Sequence, residues 1–203
     1  AMDVMVDEAT EDITKMAAMS PSEKSYFETS VLAHAKHRIA WLLILMFSAT
    51  ITGTIITRYE NAFAAIPLLV SFIPMLMDTG GNCGSQSSTL IIRGIALGEI
   101  QFSDLFRVMF KEFRVSLIVG VALALANGIR ILIMYKNAGL ALVIGLSLVA
   151  TIVISKLIGC VLPLIAKKLH MDPAIMASPL ITTLVDTCSI LIYFNIATQV
   201  FQL

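Results

Sequence analysis

Five apolar stretches, most of them near the length that a helix needs to cross a lipid bilayer, dominate this sequence. They cover residues 39–57, 62–77, 115–134, 139–166 and 174–200. A membrane-spanning helix needs roughly 20 mostly apolar residues. Only 14% of the chain is charged, whereas soluble domains carry about 25%. The sequence therefore predicts an all-α integral membrane protein with five transmembrane helices, in which residues 36–203 form the membrane domain.

The basic residues near and beyond the ends of these stretches predict how the chain is oriented in the membrane. Cytoplasmic loops carry an excess of Lys and Arg. One side of the predicted helices holds Lys36, Arg38, Arg93, Arg107, Lys111, Arg114, Lys167 and Lys168, and the other side holds only Arg58, Arg130 and Lys136. We expect a multi-pass protein of the cell (inner) membrane, with a cytoplasmic N-terminus and a C-terminus outside.

Residues 1–35 are largely polar and acidic, and they predict a cytoplasmic helical segment that connects to the first membrane helix. The abrupt acidic start is expected to be the tail of a soluble domain that is missing from this chain. An enzyme would need a nucleophile and a base, but the three histidines all lie near predicted helix ends: His34, His37 and His170. Neither catalysis nor nucleic-acid binding is expected.

Asp186 lies well inside the fifth apolar stretch. An acid at the centre of a membrane helix costs about 2.5–3.5 kcal/mol on insertion scales and normally faces water or a bundle interior. Helical spacing of three and four residues puts Asp186 on one face with other polar groups, and this pattern predicts a hydrated cation path. The expected metal contacts are Asp186, Thr182, Thr183 and Ser189, with Ser178 further along the path.

Lys156 offers an alternative explanation for that acid. The expected depths of Lys156 and Asp186 in the membrane are similar, so the two side chains can form a structural ion pair. Otherwise Lys156 snorkels toward the interface or packs at a helix contact.

A glycine-rich segment directly follows the second apolar stretch and runs from Asp78 to Ser88. Irregular backbone at membrane depth is tolerated only where protein buries it or water solvates it. We expect the helix to break at residues 79–82 and to present Gly80, Gly81 and Asn82 to the ion path. An ordinary cytoplasmic turn that opens the next helix is the alternative. Oxygen ligands of this kind suit hard cations.

Acidic residues on the cytoplasmic side are further candidates. Asp172 precedes Pro173 and is a good helix N-cap. It can also add negative potential at the mouth of the ion path. Glu8, Glu11 and Asp12 are either solvated or bind cations in a regulatory, sensing role.

Two motifs, in this order, resemble the transmembrane domain of the MgtE family of magnesium channels and transporters. The first motif covers residues 74–86, and the second runs from Asp172-Pro173-Ala174 through Ser178-Pro179-Leu180 to Asp186. Residues 8–13 look like the junction that follows the regulatory CBS domains of that family. The resemblance covers nearly the whole chain.

The resemblance implies a homodimer in the lipid membrane, whose pore is lined by the second and fifth helices of each subunit. It implies that Asp186 of each subunit faces the central ion site and that the segment matching residues 12–30 acts as a plug. Cytoplasmic Mg²⁺ bound by acidic residues would favour the closed state. On this resemblance, we expect the family's regulatory N-domain and CBS domains to be missing from this chain.

The expected function is selective conduction of hydrated Mg²⁺ down its electrochemical gradient into the cytoplasm, with Mg²⁺ as both transported ion and ligand. Mg²⁺ sheds water reluctantly and often keeps several waters in protein sites. Two symmetry-related carboxylates can therefore hold it through its water shell. The alternative is a divalent-cation carrier coupled to Na⁺ or H⁺, because two charged residues within the membrane stretches, Asp186 and Lys156, are also compatible with coupled transport.

Overall fold

A computed structural model describes residues 10–17, 19–20, 26–176 and 178–202, and every regular element within these ranges is helical. Helix α1 covers residues 10–16. The other α-helices are α2 (Val31–Arg58), α3 (Glu60–Ala65), α4 (Ile73–Ala96), α5 (Leu105–Tyr135), α6 (Ala138–Lys168) and α7 (Ser178–Phe201). Short 3-10 helices cover Pro67–Phe72, Phe102–Asp104 and Pro173–Met176. The predicted all-α class is confirmed.

Four of the described helical segments are long and apolar enough to cross a membrane. They are Val31–Arg58, Phe102–Tyr135, Ala138–Lys168 and Pro173–Phe201, and they contain the first, third, fourth and fifth predicted stretches. Helix α4 does not meet the same criterion of apolarity, since polar and glycine residues occupy much of its length.

Helix α4 corrects two expectations about the second apolar stretch. Residues 62–77 do not form one helix, because the chain passes from α3 through the 3-10 helix Pro67–Phe72 into α4. Helix α4 then continues without a break through residues 79–82 to Ala96, a length of about 36 Å at 1.5 Å per residue. The predicted break was wrong because a glycine costs a helix only about 1 kcal/mol, which packing against neighbouring helices can offset.

Helix α6 lies at the centre of the fold and contacts α4, α5 and α7, whereas α2 packs mainly along α7. The larger buried apolar cluster joins α4 to α7 through Leu76, Leu140 and Phe194, and the hydroxyl of Tyr193 donates to the carbonyl of Leu69 at 2.8 Å. A smaller cluster lies near the opposite end of α6, close to Lys167 and Lys168; it contains Ile91, Val108, Cys160 and Leu164. We call this the basic end.

The close packing of α4 against α6 and α7 depends on glycines. A Cβ added at Gly159 of α6 would lie 3.0 Å from the carbonyl carbon of Gly84 in α4. A Cβ added at Gly80 would lie 2.8 Å from a methyl group of Val185 in α7. The hydroxyl of Ser155 also donates to the carbonyl of Gly80. These contacts hold α4 tightly in the groove between α6 and α7.

Candidate cation path

Helix α4 has one exposed polar side and one buried side. Asp78, Asn82 and Gln86 are exposed and recur every four residues, so they lie along one side of the helix. We call these three residues the polar stripe. The buried side, which packs on α6 and α7, is formed by Gly80, Gly81, Cys83, Gly84, Ser87, Ser88, Ile91 and Ile92. Sequence reasoning selected Asn82 alone of the stripe, although the four-residue spacing of the other two was a usable signal.

Asp186 lies half-buried on α7, near enough to Asp78 for the two negative charges to repel each other. Within the described part of the chain, no hydrogen bond or ion pair is found for the carboxylate of Asp186. Neither this acid nor Asp78 has an ion pair among the described residues, and two such acids create a negative potential that attracts cations.

The two threonines predicted beside Asp186 are also half-buried. The hydroxyl groups of Thr182 and Thr183 both donate to the carbonyl of Pro179 at 2.9 Å. A hydroxyl oxygen that donates its proton can still accept hydrogen bonds, for example from water. The side chain of Ser178 lies outside the described residues.

Ser189 does not share this exposure. It is 1% exposed, its hydroxyl donates to the carbonyl of Val185 at 2.7 Å, and it lies against Gly80. The sequence analysis expected Ser189 to contact the metal beside Asp186, but within this chain its hydroxyl is buried against α4. Gly80 and Gly81 are likewise buried in the contact between α4 and α7, whereas Asn82 is exposed as expected.

A buried charged cluster connects α4, α5 and α6. The Nζ of Lys156 lies 3.6 Å from Oε2 of Glu112 and donates to the hydroxyl of Ser87 at 3.1 Å. The hydroxyl of Ser87 in turn donates to the same Glu112 oxygen at 2.6 Å. Lys156 is 5% exposed and Glu112 is 9% exposed. We call these three residues the Lys156–Ser87–Glu112 cluster.

The cluster corrects the two expectations for Lys156 that placed it elsewhere. In the described part of the chain its ion pair is with Glu112, so the alternative of a pair with Asp186 was wrong, and its burial excludes snorkelling. The expectation that it packs at a helix contact is confirmed. Sequence reasoning missed Glu112 because it began the third membrane stretch at residue 115, whereas α5 begins at Leu105.

At the basic end, α1 contacts the segment between α6 and α7. The Nζ of Lys15 lies 2.6 Å from Oδ2 of Asp172 and 2.5 Å from Oε1 of Glu11. Asp172 also accepts a hydrogen bond from the amide of Ala174 at 2.9 Å, which confirms its predicted capping role, here for the 3-10 helix Pro173–Met176. Glu8 lies outside the described residues.

The electrostatics of this contact favour the charged forms of both partners. Burial alone would raise the pKa of the Asp172 carboxyl, but the hydrogen bonds from Lys15 and from the amide of Ala174 hold that pKa below its ordinary value. The same contacts with Asp172 and Glu11 raise the pKa of Lys15 above its ordinary value. A cavity of about 220 Å³ beside this contact is lined in part by Asp12, Asp172 and Lys167.

Among residues 10–17, 19–20, 26–176 and 178–202, no three acidic, histidine or cysteine side chains gather as a metal site would require. A hydrated ion can instead be held through its own water shell by fewer protein groups. Asp78, Asp186, Asn82 and the two threonines are groups of that kind.

Comparison with known proteins places these features in a family. Residues 73–196 match the sequence model of the MgtE family, which is described as a divalent cation transporter. Proteins named magnesium transporter MgtE from Bacillus subtilis, Thermus thermophilus and Enterococcus faecalis are 39%, 36% and 34% identical to this chain.

The alignments cover 97–98% of this chain but 43% of each relative, so the chain spans less than half the length of the curated relatives it matches. The family match contains the polar stripe, the Lys156–Ser87–Glu112 cluster and Asp186. The long apolar helices agree with a multi-pass membrane protein. This chain belongs to the MgtE family of divalent cation transporters.

Proposed function

We propose that this chain forms the membrane pathway of a Mg²⁺ channel, in which two copies conduct hydrated Mg²⁺ passively into the cytoplasm. The observation that carries the proposal is the pair Asp78 and Asp186, whose negative charges repel each other and for which no ion pair is found in the described part of the chain. Asp78 belongs to the exposed polar stripe of α4. The relatives named as magnesium transporters support the choice of ion.

The polar stripe supports α4 as a fifth crossing helix that faces water. Helix α4 is long enough, at about 36 Å, to cross a hydrocarbon core of about 30 Å. Carboxylates and amides at membrane depth are costly against lipid and normally face a bundle interior or a water-filled cavity. A second copy packed against the α4–α7 side by a two-fold axis would enclose the stripe and bring a second Asp186 to the path.

The chemistry of the exposed groups suits Mg²⁺ better than a soft metal. Mg²⁺ prefers oxygen ligands and usually keeps several waters, and the side chains that face this region supply oxygens. The carboxylates would attract the ion, while Asn82, Thr182 and Thr183 would contact its water shell. An inside-negative potential supplies about 4.6 kcal/mol per 100 mV for a divalent ion, twice the single-charge value. No second energy source is needed for inward flow.

We assign the other predicted site residues to supporting roles. Gly80, Gly81 and Ser189 allow α4 to approach α7 closely, which places the exposed residues of both helices side by side. We retain Ser178 as a path residue near the start of α7, because its sequence position is one helical turn before Thr182.

We further propose that the basic end faces the cytoplasm and that residues 1–35 regulate entry there. The contact of Lys15 with Asp172 supports this role, because it ties α1 to the segment that begins α7. Glu8, Glu11, Asp12 and Asp172 would sense cytoplasmic cations, and Mg²⁺ would compete with the Lys15 ammonium for two of them, Glu11 and Asp172.

The alternative of a carrier coupled to Na⁺ or H⁺ now has less support. It drew on two intramembrane charges, but the ammonium of Lys156 is occupied by Glu112 and Ser87. Of the two charges, only Asp186 still supports transport coupled to Na⁺ or H⁺. Uptake that depends on an imposed Na⁺ or H⁺ gradient, with voltage held constant, would favour the carrier.

The test is Mg²⁺ uptake into liposomes that contain the purified chain and a Mg²⁺-sensitive dye. We expect Asp186→Asn to reduce the initial rate at least about tenfold, because it removes the charge that concentrates the ion without changing side-chain volume. Glu99→Gln is the matched control, since Glu99 is an exposed acid beyond the end of α4. An uptake rate in Asp186→Asn equal to that of the control would refute the assignment.

A further inference from the structure

We propose that Lys156 and Glu112 are positioning residues for cation transport, which act through Ser87 to fix the rotation of α4 about its own axis. The inference rests on the proposed function, because it concerns the same path. It adds a set of residues that do not face the path and that nothing in the proposed mechanism otherwise uses.

The cluster has a closed geometry. Each of the three side chains comes from a different helix: Ser87 from α4, Glu112 from α5 and Lys156 from α6. The hydroxyl of Ser87 accepts from the lysine and donates to the glutamate, so it sits between two opposite charges. A hydrogen-bonded hydroxyl between two charges is directional, and apolar contacts are not.

Ser87 lies on the side of α4 opposite the polar stripe. Ser87 follows Asp78 by nine residues, or about two and a half helical turns, which puts the two side chains on opposite sides of α4. A rotation of α4 by about 20° would move a side-chain end that lies about 6 Å from the helix axis by about 2 Å. A rotation of α4 that disturbs the cluster therefore also moves the polar stripe.

The neighbouring contacts mainly fix how closely α4 approaches α6 and α7, and the cluster adds a contact between two charges that depends on the rotation of α4. Around the cluster, α4 meets α6 and α7 largely through glycines and small side chains, and small surfaces allow close approach without many interlocking groups. Burying two charges is costly, and a pair of similar-sized apolar residues often stabilises a fold as well or better. A buried ion pair is thus better explained by the specific arrangement it imposes.

The experiment separates positioning from stability. One variant replaces both charges with apolar residues of similar size, Glu112→Leu with Lys156→Met, and a second, Ser87→Ala, removes only the central hydroxyl. The control is Ser116→Ala, one turn after Glu112, because the buried hydroxyl of Ser116 donates to its own helix at Phe113. Each variant is purified as the full chain and measured for its thermal midpoint and for Mg²⁺ uptake.

A third measurement does not depend on transport. Gln86→Cys places a thiol on the polar stripe, and its reaction rate with a water-soluble methanethiosulfonate reports how that side of α4 faces water. Cys188→Ser is the background, because Cys83 and Cys160 are already buried.

We expect the apolar pair and Ser87→Ala to keep a thermal midpoint near that of the wild type. Their Mg²⁺ uptake should fall at least about fivefold, and the thiol reaction rate should change at least about threefold. Ser116→Ala should change neither Mg²⁺ uptake nor the thiol reaction rate. If uptake and thiol reactivity both stay within about twofold of the wild type, the cluster is only structural and the inference is overturned.

The outcomes also distinguish this inference from the proposed function. Loss of uptake in Asp186→Asn with normal uptake in both cluster variants would leave the function intact and remove the inference. A wild-type chain that does not transport Mg²⁺ would remove the function, and an unchanged thiol rate in Ser87→Ala would then remove the inference as well. If the apolar pair does not fold, Ser87→Ala alone decides.

Discussion

Gly159 of α6 and Gly84 of α4 touch through their backbones. A methyl group at Gly159 would lie 3.0 Å from the carbonyl carbon of Gly84 and 3.2 Å from its Cα, and the carbonyl oxygen would be closer still. Backbone atoms cannot rotate away as the end of a side chain can. This contact therefore sets the separation of the two helices about one turn from the Lys156–Ser87–Glu112 cluster.

We predict that Gly159→Ala destabilises the fold. Alanine is a better helix former by about 1 kcal/mol, but overpacking a tight contact costs about 1–3 kcal/mol and forces the backbones apart. The thermal midpoint should fall, and Mg²⁺ uptake should fall with it. Gly128→Ala in α5 is the matched control, because a Cβ there meets nothing within 4 Å. A midpoint for Gly159→Ala at or above that of the control would show that α4 and α6 can separate freely.

Asp78 gives a second prediction, because it was not among the residues selected from the sequence. Asp78→Asn should raise the Mg²⁺ concentration for half-maximal uptake by at least about threefold, since one of two neighbouring negative charges is lost. Asp78→Asn should shift the half-maximal Mg²⁺ concentration less than Asp186→Asn does, because Asp78 is more exposed and its charge is better screened. The measurement is uptake as a function of Mg²⁺ concentration, beside Glu99→Gln. An unchanged half-maximal concentration would place Asp78 away from the ion.

The membrane helices were predictable where hydrophobicity alone defines them. Four of the five predicted stretches lie inside long apolar helices, because a run of about 20 apolar residues has few stable alternatives in a bilayer. Helix α4 was not predictable in this way. Its glycines and serines predicted a break in the helix, yet these small residues allow α4 to pack closely between α6 and α7. Local helix preference is a weak signal that tertiary packing overrides.

In the candidate site, too, some features were predictable from the sequence and others were not. An acid within an apolar run, Asp186, stands out because its insertion cost is high. The burial of Ser189 and the pairing of Lys156 with Glu112 depend on how helices rotate against one another. That rotation comes from contacts between residues distant in sequence, such as Ser87 and Lys156, and a single sequence does not report them.

The contact between Lys15 and Asp172 gives a third prediction. These side chains are 22% and 30% exposed, and ion pairs of this exposure contribute about 0.2–1 kcal/mol. Lys15→Met should therefore increase hydrogen exchange in residues 10–17 by up to about fivefold. It should also raise Mg²⁺ uptake if α1 restricts entry. Lys36→Met is the control, since Lys36 is exposed on α2. Equal exchange in the two variants would show that the ion pair does not hold α1.

The same contact should be insensitive to pH between about 5 and 9. The pKa of Asp172 is lowered in the contact, so its stabilisation is present above the free value of about 3.9 and is lost as pH falls through the lower, bound value. The pKa of Lys15 is raised, so its stabilisation is present below the free value of about 10.4 and is lost only as pH rises above it. Hydrogen exchange in residues 10–17, corrected for intrinsic rates, should stay level across this range. A change near pH 6 or 7 would require a different titrating group.

Ser189 provides the fourth prediction, because sequence and structure lead to different expectations for it. As an ion contact, its hydroxyl would be needed for uptake. As a buried group that donates to Val185, it can be replaced by alanine at small cost, since its hydrogen bond is made within its own helix. We expect Ser189→Ala to keep uptake within about twofold, at a stability cost of about 1 kcal/mol or less.

Ser189→Leu should behave differently, because the added carbons would press against Gly80 and separate α7 from α4. We expect overpacking of about 1–3 kcal/mol, seen as a lower thermal midpoint together with lower uptake. Both variants are measured in the same liposome assay and by thermal unfolding. Loss of uptake in Ser189→Ala at an unchanged thermal midpoint and an unchanged thiol reaction rate at Gln86→Cys would return this hydroxyl to the cation path, because a group that only positions α4 would change that reaction rate as well.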